Sequence, residues 1–143
     1  MKEYIEYGVF FGLLAFTGVC VLRYKPAEEE VQSVELIEYN KCESPIERRL
    51  YNGLVSYGLQ PRTQWPAGRR YRIDLAFPGR MIAIEADGKA YHSTPAQKAH
   101  DRKKDRYLRS KGWTVLRFSG SRIHRNLPSV VRRISDELSD EGT

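Results

Sequence analysis

Three carboxylates, Asp74, Glu85 and Asp87, lie close together in the stretch from Tyr71 to His92, YRIDLAFPGRMIAIEADGKAYH. The stretch reads as two short strands joined at Pro78-Gly79. With the two-residue strand period, Ile73, Leu75 and Phe77 share one face and Asp74 points the other way. In the second strand Ile82, Ile84 and Ala86 share a face, leaving Glu85 and Asp87 on the opposite one. Pairing Phe77 with Arg80, or Ala76 with Met81, sets Asp74 directly or diagonally opposite Glu85 across the hairpin. Carboxylates so placed repel one another unless a cation sits among them. Two or three of them within one ion's reach suit a hard divalent metal such as Mg²⁺ or Mn²⁺. A solvated sheet face with polar residues alternating outward is the competing reading of the hairpin taken alone.

The flanking segments are built to hold such a hairpin. Ser44-Pro45-Ile46-Glu47 combines a cap, a first-turn proline and a capping-box glutamate, and Ile46, Leu50 and Leu54 give the helix it opens an apolar stripe. Glu47 therefore has a structural role and is also a candidate for the site. A short strand is predicted around Thr63–Trp65, where Gln64 could orient a water or a ligand. After His92, Thr94 and Pro95 open a second helix that Gly112 closes. It carries seven Lys or Arg from Lys98 to Lys111, with Asp101 and Asp105 placed to pair along its surface with Arg102, Lys104 or Arg109. Trp113–Phe118 reads as a further strand, Ser119–Arg125 as a polar, basic loop. A closing helix from Asn126-Leu127-Pro128 turns Val130, Val131, Ile134 and Leu138 inward. Helix, strands, helix, strand and helix make a small α/β layer structure.

Charge and cysteine content narrow the partners. Residues 44–143 hold 20 of the 24 basic and ten of the 18 acidic side chains, a net +10, against a net −4 over residues 1–43. A field of that sign favours a polyanion, nucleic acid being the commonest, with plain solubility as the alternative. Cys20 and Cys42 both precede this region, so neither a disulfide framework nor a Cys-rich zinc site is available to it.

From Tyr7 to Leu22 the chain has no charge for 16 residues. As a helix these span roughly 24 Å, which Tyr4, Ile5 and Tyr24 extend toward a bilayer core of ~30 Å. Residues 1–25 are thus predicted to be a single-pass membrane anchor, inserted through residues 4–24, and residues 26–43 an acidic linker. The compact domain is predicted over residues 44–143. Glu3 and Glu6 argue against a cleaved signal peptide; a buried soluble helix competes. Arg23 and Lys25 after the segment favour a cytoplasmic domain.

The run Tyr71-Arg72-Ile73-Asp74-Leu75, Ile84-Glu85-Ala86-Asp87-Gly88, His92, Asp101-Arg102 with Asp105, and Gly112-Trp113-Thr114-Val115-Leu116-Arg117-Phe118 resembles the very-short-patch-repair (Vsr) endonuclease-like family. That family belongs to the PD-(D/E)XK, or restriction-endonuclease-like, nucleases, and the Ser44–Glu47 helix start also matches. The likeness covers about residues 44–134. It implies a mixed central sheet flanked by helices and divalent-metal hydrolysis of DNA. Asp74 and Glu85 would be the metal ligands, with the Ala86 carbonyl a further candidate. The superfamily's usual lysine would stand at 87, where this chain has Asp87. His92 is the first candidate for its work, as general base or to polarise a phosphate oxygen, with Lys89 and Lys98 as alternatives. Arg72, Lys89, Lys98, Arg102, Lys104 and Arg117 are the candidate contacts to the DNA. A non-catalytic DNA-binding module on the nuclease fold, or a membrane adaptor for proteins, are the competing functions.

Overall fold

The computed structural model describes residues 27–87 and 94–140. The chain divides into two compact units, Met1–Val34 and Glu35–Thr143. The predicted membrane segment lies outside the described residues, as do His92 and Lys89. Among the described residues no helix is long and apolar enough to cross a membrane.

Where the sequence suggests an acidic linker, the chain forms a helix, α1, Ala27–Lys41. Lys41 falls in its last turn, the end of the helix dipole that favours a cation. The end of α1 is fastened to the domain. Glu38, 4% exposed, accepts the Thr63 backbone amide at 2.7 Å, and the Thr63 hydroxyl lies 2.6 Å from the Glu38 carbonyl oxygen. Lys41 at 2.7 Å and Arg62 at 3.5 Å reach the other carboxylate oxygen. Both cations are half exposed, so screening leaves their pairs weak, and the buried amide bond dominates.

Four strands form one sheet in the order β1 (Arg62–Ala67), β2 (Tyr71–Phe77), β3 (Ile82–Asp87), β4 (Thr114–Ser119). The first two pairings are antiparallel and β3–β4 is parallel, so the sheet is mixed. Helix α3 (Pro95–Ser110) follows β3 and precedes β4, the long crossover that parallel neighbours require. The predicted loop after β4 is a short helix, α4 (Gly120–Arg125), capped by Ser119. α2 (Pro45–Ser56) and α5 (Leu127–Ser139) complete the fold. Leu50 and Leu54 of α2, Ile123 of α4 and Val130, Val131 and Ile134 of α5 bury one sheet face with Leu75, Ile82 and Ile84. Leu108 of α3 joins Ile73, Ala76, Ala83 and Val115 in a second cluster.

Two details of the hairpin differ from expectation. Its turn is a 3₁₀ segment, Pro78–Arg80, closed by Met81 in the left-handed region (φ 52°), so Phe77 pairs with Ile82 and Ala76 with Ala83. Ile73 does not share a core with Leu75 and Phe77. It belongs to the second cluster, and the change falls at Asp74, which stands across from Gln64 between the pairs Thr63–Leu75 and Trp65–Ile73. Gln64 is itself left-handed (φ 49°), a local break in the regular alternation of the ladder.

Burial alone pushes the Glu38 carboxyl up, but the bonds from Lys41 and Thr63 outweigh it and hold it below the usual glutamate range. Glu38→Ala should cost about 2–3 kcal/mol in urea unfolding at neutral pH, because it orphans the Thr63 amide. A lowered folded-state pKa means stability that is present above the ordinary value of 4.5 and lost as pH falls through the lower one. The deficit of Glu38→Ala should therefore narrow in acid; a pH-independent deficit would contradict the assignment.

Candidate functional site

The register that places Leu75 opposite Ile84 places Asp74, one step further, opposite Glu85. There the ladder is taken over by a side chain, for the Ala86 amide donates to Asp74 Oδ2 at 2.8 Å. From the other side of the hairpin, α2 delivers Glu47 by its cap. The Glu47 amide donates to Ser44 Oγ at 3.2 Å, and the Ser44 hydroxyl returns a bond to Glu47 Oε1 at 2.7 Å. The Glu43 amide at 2.9 Å and Gln64 Nε2 at 3.1 Å both donate to Glu47 Oε2. The cap thus reaches one residue further back than a simple capping box.

These residues open into one cleft of about 820 Å³. Seven carboxylates line it, those of Glu43, Glu47, Asp74, Glu85, Asp87, Asp101 and Asp105, against the cations Lys98, Arg102 and Arg117. An acid-rich cleft inside a strongly basic domain is the opposite of what a simple polyanion-binding surface needs.

Most of these acids already have partners. Arg117, beside Glu85 in the β3–β4 register, donates to Asp87 at 2.8 Å and to Asp105 at 2.6 Å. Burial works against its charge, but the two carboxylates outweigh that and hold the guanidinium firmly protonated. Arg117 is thus a brace between β4, β3 and α3 and not the free DNA contact the sequence suggests. Asp105 likewise pairs across to the sheet and not along its own helix. Lys104, also expected to face DNA, is turned inward: its Nζ sits 2.5 Å from Glu85 Oε2, with the lysine side chain only 13% exposed. Arg72 reaches Glu43 at 2.8 Å, both largely in solvent, and does not line the cleft. Lys98 and Arg102 do line it. Gln97 and Ser119 line it too without having been singled out; the only sequence signal for Ser119 is its place at a strand end.

What is left over is specific. Glu85, 4% exposed, has an oxygen, Oε1, that is buried and has no hydrogen-bond partner among the described residues. Burial and then the facing Asp74 push the Glu85 carboxyl up to about 7, against the pull of Lys104. Burial likewise raises Asp74, against the Ala86 amide and Lys104. A buried carboxylate oxygen without a donor, facing a second carboxylate, fits a hard divalent cation, which takes one or two protein carboxylates and completes its shell with water and phosphate. Among the described residues no group of three or more His, Cys, Asp or Glu side chains converges on one ion. Asp74 and Glu85 alone are the one or two carboxylates that a hydrated Mg²⁺ or Mn²⁺ takes from a protein.

Comparison with known proteins agrees with this architecture. The family model REase_MTES_1575, of restriction-endonuclease-like proteins, matches residues 46–138. The chain belongs to this family. An uncharacterized protein of Escherichia coli (strain K12), YcjD, is 34% identical over 96 residues, covering 65% of this chain and 79% of its own length. An uncharacterized protein of Mycobacterium tuberculosis (strain H37Rv), Rv2248, is 26% identical over 115 residues, 76% of this chain; the chain spans 42% of that relative. Among solved structures, the catalytic domain of the homing endonuclease I-Bth0305I superposes with a TM-score of 0.54 at 22% identity, covering 66% of this chain and 94% of that domain. That likeness is one of fold. The mixed sheet flanked by helices, expected from the sequence, is the restriction-endonuclease-like one.

The repulsion at Asp74 and Glu85 has a consequence without any metal. A raised folded-state pKa contributes stability below the ordinary carboxyl range that is lost as pH rises through the folded value, here about 7 for Glu85. Asp74→Asn keeps an acceptor for the Ala86 amide and removes one charge. It should raise stability in EDTA at pH 7.5 by about 0.5–2 kcal/mol and flatten the decline between pH 4.5 and 7. A variant less stable than wild type at pH 7.5 would refute the repulsion.

Proposed function

We propose that this chain is a divalent-metal-dependent DNA endonuclease whose centre is the Asp74–Glu85 pair. The observation that carries this reading is Glu85 Oε1, buried and without a donor among the described residues, opposite a second carboxylate. Membership of a restriction-endonuclease-like family and the homing-endonuclease fold support phosphodiester hydrolysis of DNA, and the Vsr-like order of motifs agrees with it. Bound at the pair, Mg²⁺ or Mn²⁺ supplies Lewis-acid polarisation of a phosphoryl oxygen and a lowered pKa for its water. The rest falls to the chain. Asp74 and Glu85 would hold the ion, while the Ala86 amide fixes Asp74 in place. Lys98 and Arg102 on the cleft wall receive the phosphates on either side of the scissile bond. Glu47, held by Ser44 and Gln64, orients the water that attacks. His92, in the segment before α3, is the candidate proton acceptor.

The full-length protein, purified in mild detergent, should nick or cut plasmid DNA with Mg²⁺ and not with EDTA. Asp74→Ala and Glu85→Ala should each lower the rate at least about a hundredfold. Salt-sensitive DNA binding with no metal-dependent cleavage would instead identify a binding module on the nuclease fold.

Residues 4–24 are the proposed single-pass anchor, with the domain in the cytoplasm where DNA is accessible. The supporting features are the uncharged stretch and the Arg23 and Lys25 that follow it. An alkaline phosphatase fused to the C-terminus should be inactive in Escherichia coli; an active fusion would place the domain on the other side.

A further inference from the structure

Lys104 is not placed like a residue that binds DNA. The face of α3 that packs on the sheet carries Leu108, fully buried against Ile73, Ala83 and Val115, and Lys104 lies one turn before it on the same side. The burial of Leu108 therefore carries the lysine inward with it. Its ammonium ends 2.5 Å from Glu85 Oε2, with side-chain exposures of 13% and 5% for the two partners. Lys98 and Arg102 of the same helix line the cleft, whereas Lys104 does not. Among the described residues it is the one cation bonded to either member of the acidic pair, for Arg117 is committed to Asp87 and Asp105.

We propose that Lys104 is a resident counter-ion and positioning residue for the acidic pair: it occupies Glu85 Oε2, leaves Oε1 free for the incoming ion, and lets the fold form before the ion arrives. This rests on the metal-site reading given above. A buried carboxylate facing a half-buried one is costly, and an internal ammonium offsets part of that cost without blocking the free oxygen. It also sets the charge of the loaded site. Two carboxylates and one ammonium sum to −1, so a divalent ion brings the site to +1, matched to the single negative charge of a phosphodiester. Without Lys104 the loaded site would be neutral.

The test compares full-length wild type, Lys104→Met, Lys104→Arg, Glu85→Gln and the double variant Glu85→Gln/Lys104→Met by thermal unfolding in EDTA and in saturating Mg²⁺. Lys104→Met should lose more than about 10 °C in EDTA and regain most of it with Mg²⁺, a larger rise than the one that binding of the ion gives wild type. Lys104→Arg should stay near wild type in EDTA, because the charge is kept. The double variant should be more stable in EDTA than Lys104→Met, since the acid left uncompensated is gone. A Lys104→Met melting point in EDTA within about 3 °C of wild type, or a loss that Mg²⁺ does not recover, overturns the proposal. If Lys104→Met fails to accumulate, recovery in the double variant supports the proposal and failure there overturns it. Calorimetric titration of wild type with Mg²⁺ separates the two readings. No binding defeats the metal site itself, while binding together with an unaltered Lys104→Met defeats only the counter-ion.

Discussion

Two carboxylates facing each other across an antiparallel pair of strands, both withdrawn from water, are the arrangement to which the rest of this domain is fitted. Burial raises the proton affinity of both, and the charge of Asp74 raises that of Glu85 further. The surrounding structure answers the problem only in part. The Ala86 amide takes one oxygen of Asp74 and the Lys104 ammonium takes one oxygen of Glu85. A fold selected for stability alone would put apolar side chains at both positions, since replacing buried ionic groups by well-packed apolar ones is often neutral or stabilising. Keeping the acids, and keeping one oxygen without a donor among the described residues, is what supports reading the pair as a binding centre.

Charge is distributed over the domain in a way that separates attraction from chemistry. Residues 44–143 are strongly basic, yet the cleft is walled mainly by carboxylates. A polyanion is drawn to the domain by its overall field and meets local repulsion at the cleft. On the proposed reading, a divalent ion held in the cleft would remove that repulsion at the point where a phosphate must come closest. Substrate and ion would then favour each other's binding through electrostatics alone.

Much of this was legible in the sequence, and the misses share a cause. The capped starts of α2 and α3, the Gly112 stop, the four strands and the opposition of Asp74 to Glu85 follow from local patterns and strand period. Gly112, for example, adopts φ +85°, as a helix-ending glycine should. The failures are tertiary. The end of α1 is held by Glu38 reaching Thr63, 25 residues on, and nothing in a run of glutamates announces such a partner. The three- and four-residue rule pairs Asp101 and Asp105 with Arg102, Lys104 or Arg109 along the helix surface, but packing of Leu108 turns Asp105 and Lys104 toward the sheet, where they meet Arg117 and Glu85. A count of basic residues likewise treats every cation as free; the structure shows that Arg117, Lys104 and Arg72 are already in ion pairs.

The distortion at Gln64 shows how the cleft's acids are sorted into those that are satisfied and those that are not. A non-glycine residue in the left-handed region is strained by about 1 kcal/mol or more, and here it stands opposite Asp74, where the strand also changes which core its side chains enter. The amide of Gln64 donates to Glu47 Oε2, already bonded by the Glu43 amide, while Ser44 holds Oε1. Glu47 thus has both oxygens engaged, and Asp87 and Asp105 share Arg117. Within the facing pair itself the Ala86 amide takes Oδ2 of Asp74 and Lys104 takes Oε2 of Glu85, which leaves Oδ1 of Asp74 and Oε1 of Glu85 without a bonded partner among the described residues. The bonds to Glu47 and the brace at Arg117 thus engage the acids around the facing pair, and the pair itself offers the one or two carboxylates that a hydrated hard ion takes from a protein.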